Sequence, residues 1–178
     1  MITIGVDPGL DGAFAIMQDG VCIHASKLVF EGKTLVMGHI ADVLETALFH
    51  VEPNLLICER VHSTPNDGHV GAFTFGKGFG HIRGFCEGRG WRYTDVRPLE
   101  WKRSILKGLM GLPMPAIARI QETYPKYKPK GKDMNKATTI DYVMQKYPHI
   151  DICPGSCRLP QDGICDAICV AEYGEQHG

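Results

Sequence analysis

Hydrophobic and polar residues alternate over the first part of the chain in the pattern of short β-strands. Residues 1–6, 13–17 and 21–28 are rich in Val, Ile, Ala and other apolar residues, and turn sequences separate them. The last of these turns, Asp19-Gly20, is a strong hairpin signal. The pattern predicts a three-stranded antiparallel meander at the start of the chain.

Farther along, helical periodicity alternates with two further strands. A helix is expected over residues 34–50 with Thr34 as its N-cap, followed by a buried strand over residues 55–58 that ends at Glu59. A glycine-rich helix over residues 70–87 then leads to a fifth strand over residues 91–96. Further helices are expected over residues 98–106, 114–123, 135–146 and 162–173.

This order of elements predicts an α/β fold with a mixed sheet. Because a helix crosses over before the fourth strand, that strand can lie parallel to the first and beside it. The length of 178 residues favours one domain that covers residues 1–178.

Composition places the chain among ordinary globular proteins, with 44% hydrophobic and 22% charged residues. The apolar runs are too short to span a membrane, so no membrane partner is expected. The first residues lack the basic start of a signal peptide, and the seven cysteines are an odd number. These features indicate reduced thiols and a cytoplasmic protein.

Charge is distributed unevenly. Residues 101–136 carry nine basic and two acidic residues, while the whole chain has a net charge of −1. A basic segment of this kind suits phosphate contacts with nucleic acid, and Trp101, Tyr124 and Tyr127 lie among its cations. The alternative is a solvated basic face with buried aromatic residues, and Trp101 is expected in the core. The basic residues assigned to DNA binding are Lys102, Arg103, Lys107, Lys126, Lys128, Lys130, Lys132 and Lys136.

Four acidic residues suggest a metal site. Asp7 ends the first strand and Glu59 the fourth, so both emerge at one edge if these strands are parallel neighbours. Asp162 and Asp166 share one face of the last helix, where like charges repel unless a cation offsets them. Converging carboxylates are ligands for Mg²⁺, with Mn²⁺ as a substitute. Two such ions about 4 Å apart support phosphodiester hydrolysis.

Simpler interpretations exist for each acid, and the cysteines offer a different metal. Asp7 suits a turn, Glu59 an exposed strand end and Asp162 a helix N-cap. Four cysteines near the end of the chain could instead hold structural zinc, although their spacing is not that of a standard zinc knuckle. They are Cys153, Cys157, Cys165 and Cys169.

Several motifs, in this order, resemble RuvC-type Holliday junction resolvases, which have a ribonuclease H-like fold. The resemblance covers nearly the whole chain. The motifs are Ile4-Gly5-Val6-Asp7-Pro8-Gly9-Leu10, Leu56-Ile57-Cys58-Glu59, Phe73-Thr74-Phe75-Gly76, Gly80-His81-Ile82-Arg83-Gly84, Val96-Arg97-Pro98-Leu99-Glu100-Trp101-Lys102, Lys132-Asp133-Met134-Asn135-Lys136 and Asp162-Gly163-Ile164-Cys165-Asp166-Ala167.

The resemblance implies a homodimeric, Mg²⁺-dependent crossover junction endodeoxyribonuclease, acting in DNA recombination and repair in the cytosol of a bacterium or a phage-infected host. Asp7, Glu59, Asp162 and Asp166 would be its catalytic metal ligands. The bacterial form spaces its last two acids three residues apart, whereas here they are four apart. His62 falls where the bacterial form has a phenylalanine that stacks at the junction, so His62 is a candidate DNA contact. Arg97 or Lys102 could help to hold the scissile phosphate.

Other functions remain open at this point. A sugar kinase or actin-like ATPase also begins with a strand and an Asp-x-Gly turn, but it needs a second lobe and a longer chain. A structure-specific DNA-binding module with an inactive acidic site is an alternative that is not an enzyme. A nuclease of the same fold that acts on flaps or RNA–DNA hybrids is another.

Overall fold

The structure, a computed structural model, describes residues 1–48, 51–60 and 68–178. Its strands are β1 (Ile2–Asp7), β2 (Ala13–Gln18), β3 (Val21–Lys27), β4 (Phe30–Glu31), β5 (Thr34–Leu35), β6 (Leu55–Glu59) and β7 (Tyr93–Val96). Its helices are α1 (Gly38–Leu48), α2 (Gly68–Arg89), α3 (Pro98–Ile105), α4 (Pro113–Thr123), α5 (Lys136–Lys146) and α6 (Asp162–His177). None of the helices in these ranges is long and apolar enough to cross a membrane.

Five strands form one mixed sheet in the order β3-β2-β1-β6-β7. The first three strands pair antiparallel, whereas β6 is parallel to both β1 and β7. Val6 lies opposite Cys58, so the next residues, Asp7 and Glu59, leave the sheet at the same edge. The predicted α/β class, with a five-stranded mixed sheet flanked by helices, is confirmed, as is the parallel placement of the fourth predicted strand beside the first.

Alternate side chains of β1 lie on opposite faces of the sheet. Ile4 and Val6 belong to an apolar cluster that also contains buried residues of α1 and α2. Gly5 and Asp7 face the other side, where α6 lies against the sheet. Helices α3 to α6 supply most of the second apolar cluster on that side. The period of two along a strand therefore puts Asp7 on the α6 face.

Small residues let α6 lie directly on β1. A Cβ atom added to Gly5 would stand 2.7 Å from the Cα of Ala171, and one added to Gly174 would stand 2.9 Å from the Cγ2 of Thr3. At the other end of the helix, a Cβ at Gly163 would stand 3.3 Å from the Oδ2 of Asp7. Helix α6 therefore runs antiparallel to β1, and its first turn lies over the end of β1 that carries Asp7.

Element boundaries differ from the sequence predictions mainly at the first helix, the last helix and the lysine-rich loop. The helix expected from residue 34 begins at Gly38, because Thr34–Leu35 instead pairs with Phe30–Glu31 in a small hairpin. Thr34 is therefore not its N-cap. The last helix extends to His177, and a 3₁₀ helix at Gly131–Asn135 ends the lysine-rich loop before α5.

Candidate metal-binding active site

Three carboxylates from three separate elements meet at the edge of the sheet. Asp7 ends β1, Glu59 ends β6 and Asp166 lies in the second turn of α6. Each offers one oxygen, and these oxygens all lie within 4.8 Å of one another. We call these three residues the acidic trio. In the described ranges it is the one group of three or more Asp, Glu, His or Cys side chains with metal-binding spacing.

The turn after β1 supports the first member of the trio. The backbone N–H of Gly9 donates to Asp7 Oδ1 at 3.4 Å, and that of Gly12 donates to the Gly9 carbonyl at 2.9 Å. A Cβ at Gly12 would stand 2.7 Å from the Gly9 nitrogen, so no larger residue fits there without moving the backbone. The Asp-Pro-Gly sequence is thus both a turn and the support of a carboxylate.

Glu59 is held by a buried tryptophan. It is 8% exposed, and its Oε1 accepts a 2.8 Å hydrogen bond from the indole Nε1–H of Trp101, which is fully buried. Burial raises the pKa of Glu59, while the indole N–H and the charge of Lys102 lower it. The carboxylate is therefore a fixed group rather than an exposed strand end.

The pKa values of the other two carboxyls, Asp7 and Asp166, are raised. Burial is the main cause that raises the pKa of Asp7 to about 7, and the charge of Glu59 adds to it. Burial likewise raises the pKa of Asp166 to about 8, which the charge of Lys102 lowers and the charges of Glu59 and Asp7 raise. Such carboxyls are crowded and poorly hydrated, which is the condition that a bound cation relieves.

Lys102 is a positively charged residue that acts on the whole acidic trio. Its ammonium group lowers the pKa of all three carboxyls. It also lies 4.9 Å from the centroid of the Trp101 ring. Arg97, the other residue considered for the scissile phosphate, caps α3, where its backbone N–H bonds Glu100 Oε2 at 3.2 Å.

Asp162 stands apart from the acidic trio. Its Oδ2 forms an ion pair with Lys136 Nζ at 2.6 Å, and its side chain is 40% exposed. Its charge still raises the pKa of Asp7 and Asp166, so it lies in their neighbourhood. The structure thus brings three of the four predicted acids together and gives the fourth a cationic partner.

The trio fits a divalent cation by its chemistry. All three donors are carboxylate oxygens, the ligands that Mg²⁺ and Mn²⁺ prefer, and no thiol or imidazole is among them. With Lys102 beside them, three ionised carboxylates leave a net charge of about −2, which a divalent ion neutralises. A cleft of about 680 Å³ adjoins the site, lined among others by Asp7, Asp162, Phe30 and Phe75.

The basic segment lies partly beside this site. Tyr127, which lies on the lysine-rich loop, is buried. Burial is the main cause that raises its pKa, and the charge of Asp162 raises it further, so this loop lies near the start of α6. Lys126, Lys128 and Lys130 on that loop are exposed. The exposed Arg103 and Lys107 lie along and beyond α3. Trp101 is in the core as expected, and the buried Tyr127 is not available to stack on a base.

Two remaining candidates give no site in the described residues. His62 lies outside them. The cysteines proposed as zinc ligands form no group of three or more with metal-binding spacing in the described ranges. Cys165 and Cys169 lie on α6 and are fully buried in the apolar core.

Comparisons with known proteins find similar folds. Neither a scan of protein families nor a search of curated proteins gives a match to this sequence. RuvC of Thermus thermophilus is similar in two solved structures. The structure with a Holliday junction substrate has a TM-score of 0.46 at 13% identity and covers 84% of this chain and 95% of that one. The structure of RuvC itself has a TM-score of 0.47 at 14% identity, covering 84% and 96%. The fowlpox virus resolvase with its Holliday junction DNA has a TM-score of 0.47 at 17% identity and covers 98% and 99%.

The residue pattern alone does not reveal that Trp101 contacts Glu59. The residue was assigned to the core, which is correct, but its polar edge faces a carboxylate 42 positions away in the chain. A buried tryptophan usually finds a partner for its N–H, and this was the available signal.

Proposed function

We propose that this chain is a metal-dependent endonuclease that cuts branched DNA, with the four-way junction as its substrate. The acidic trio carries the proposal, because three carboxylates on three elements converge beside a cleft that Asp7 lines. The motif order that resembles RuvC-type resolvases adds the substrate class. The whole chain, residues 1–178, would act as a single nuclease domain.

Asp7, Glu59 and Asp166 would hold Mg²⁺, and Mn²⁺ would substitute for it. Bound divalent ions supply an activated water and stabilise the leaving oxygen in phosphodiester hydrolysis. Glu59 arrives already oriented by the Trp101 N–H. Asp162 belongs to this proposal as an outer acid, held by Lys136 at 2.6 Å and free to contact the metal shell only after that pair opens.

The cations around the site would position DNA. Three carboxylates repel phosphate, so the backbone needs both a bound divalent ion and nearby lysines to approach. Lys102 lies beside the trio, and Lys126, Lys128 and Lys130 are exposed on the loop near the start of α6. Arg103, Lys107, Lys132, Lys136 and His62 complete the proposed DNA-binding set.

Paired cutting would require two copies of the chain. The described residues contain one acidic trio, whereas resolution of a four-way junction needs a nick in each of two strands. We therefore propose a homodimer in which each copy cuts one strand. Sedimentation of the protein with and without junction DNA measures this directly.

The decisive experiment is cleavage of a labelled synthetic four-way junction in Mg²⁺ and in EDTA. Matched duplex, flap and RNA–DNA hybrid substrates run beside it. Asp7→Asn should abolish cutting while junction binding persists, because the change removes one ligand charge and keeps the shape. Asp42→Asn is the control, since Asp42 is exposed on α1, which packs against the opposite face of the sheet.

Each outcome separates the candidates. Paired nicks at the branch that need Mg²⁺ and Asp7 support the resolvase. If flaps or hybrids are cut faster than junctions, the protein is a nuclease of this fold with a different substrate. Tight junction binding without cutting by the unaltered protein, in either Mg²⁺ or Mn²⁺, replaces the enzyme by a binding module.

A further inference from the structure

Trp101 contacts both a negative and a positive group of the site. Along its edge, the indole Nε1–H donates to Glu59 Oε1 at 2.8 Å. Over its face, Lys102 Nζ lies 4.9 Å from the ring centroid, within the range of a cation–π contact. The ring itself is fully buried in the apolar cluster under α6. One rigid side chain thus touches a metal-ligand candidate and the lysine beside the acidic trio.

Glu59 is the member of the trio that most needs such support. It has one more rotatable bond than Asp7 or Asp166, so its carboxylate is harder to place. The indole bond holds Oε1 and thereby restrains the second oxygen, Oε2, of the same planar carboxylate. Because this second oxygen is already fixed, less conformational entropy is lost when a cation binds.

We infer that Trp101 is a positioning residue that orients Glu59 for a divalent cation through its indole N–H and holds Lys102 beside the site through its ring face. This inference rests on the metal site of the proposed function. It assigns to the tryptophan a role in ligand geometry that packing alone would not require.

The chain contains a second tryptophan with the same two contacts at a different place. The indole N–H of Trp91 bonds Glu52, and the guanidinium of Arg89 lies 5.6 Å from the Trp91 ring centroid. This pair stands before β6 and β7, at the sheet edge opposite the acidic trio. Trp91→Phe therefore repeats the chemical change of Trp101→Phe away from the candidate site.

The first test measures Mn²⁺ binding to the full chain by calorimetry, without DNA. Trp101→Phe keeps a buried ring but removes the N–H donor, and it should weaken Mn²⁺ binding about 10- to 100-fold. Trp91→Phe should bind Mn²⁺ as the unaltered protein does. Circular dichroism verifies that both variants are folded. Unchanged Mn²⁺ affinity in folded Trp101→Phe overturns the inference, as does equal weakening in both variants.

The second test does not depend on the fold of the Trp101 variant. The chain has two tryptophans, so Trp91→Phe leaves Trp101 as the single indole emitter. Saturating Mg²⁺ should change Trp101 emission, because the carboxylate that accepts its N–H shares its charge with the cation. Emission that stays constant overturns the inference.

Failure of the proposed function gives a different result. If the unaltered protein binds Mn²⁺ and both tests give the expected results, but it cuts no branched DNA, the nuclease proposal is overturned and the role of Trp101 stands. If the unaltered protein does not bind Mn²⁺, both proposals are overturned.

Discussion

Neutralising Asp166 should stabilise the metal-free protein. Asp166 belongs to an otherwise apolar stretch of α6, and burial followed by the charges of Glu59 and Asp7 opposes its ionisation. Asparagine has nearly the same shape and no charge. Asp166→Asn should therefore raise the free energy of unfolding in EDTA at about pH 8, although it removes a proposed metal ligand.

The size of the gain follows from the raised pKa. A change from 3.8 to about 8 corresponds to roughly 6 kcal/mol against ionisation, at about 1.4 kcal/mol per tenfold change. This is a ceiling, because Asp166 is only partly buried and water screens its charge. We expect a gain of about 2 kcal/mol at about pH 8 after this screening.

The pH dependence of stability gives the sign of the effect of Asp166→Asn. Between the ordinary pKa of 3.8 and the folded value of about 8, the folded state of Asp166 holds more protons than the unfolded state. Stability of the unaltered protein therefore falls as pH rises through this window, and the advantage of Asp166→Asn grows with pH. Below about pH 4 both states are protonated and the advantage vanishes.

Urea unfolding in EDTA at several pH values measures the effect, with Asp162→Asn as the matched control. Asp162 lies one turn away on the same helix but pairs with Lys136 at 2.6 Å, so its neutralisation should give no gain. Mg²⁺ should stabilise the unaltered protein and leave Asp166→Asn unchanged. A loss of stability in Asp166→Asn in EDTA at about pH 8 would refute the reasoning.

Three further predictions address binding and packing. Mg²⁺ affinity should rise with pH through the folded pKa values of about 7 for Asp7 and about 8 for Asp166, because protons compete with the ion below them; calorimetry in buffers of different ionisation enthalpy should detect proton release. Replacing Lys126, Lys128 and Lys130 with alanine should weaken junction binding and reduce the salt slope by about 2 to 3, and an unchanged slope would exclude phosphate contacts there. Gly5→Ala should lower stability by about 3 kcal/mol in thermal unfolding, because the new Cβ would overlap the backbone of Ala171, whereas Gly76→Ala in the open part of α2 should not.

The sheet and most of its flanking helices could be predicted from residue patterns because local sequence determines them. The alternation in residues 1–28 and the crossover helix before residues 55–58 were sufficient to place two acids at one edge of the sheet. The hairpin of β4 and β5 was missed because two-residue strands leave no periodicity. Thr34 looked like an N-cap in sequence, but its backbone instead pairs with Glu31.

The site was harder to predict because its geometry comes from contacts between distant residues. Which acid of α6 meets Asp7 and Glu59 depends on how the helix rotates on the sheet, and contacts such as that between Gly5 and Ala171 set this rotation. The spacing of four residues placed Asp162 and Asp166 on one face of the helix, so the predicted site included both. Lys136, a residue of another helix, pairs with Asp162.

Close packing and ionic chemistry oppose each other at this site. The small residues of α6 bring its backbone onto β1 and place Asp166 near Asp7 and Glu59. Burial at this point of the fold raises the pKa of all three carboxyls. A core selected for stability alone would place an uncharged residue at position 166. Retaining three carboxyls there makes sense if a cation offsets their repulsion, so the stability lost by the metal-free protein and the affinity for a divalent ion have the same physical origin.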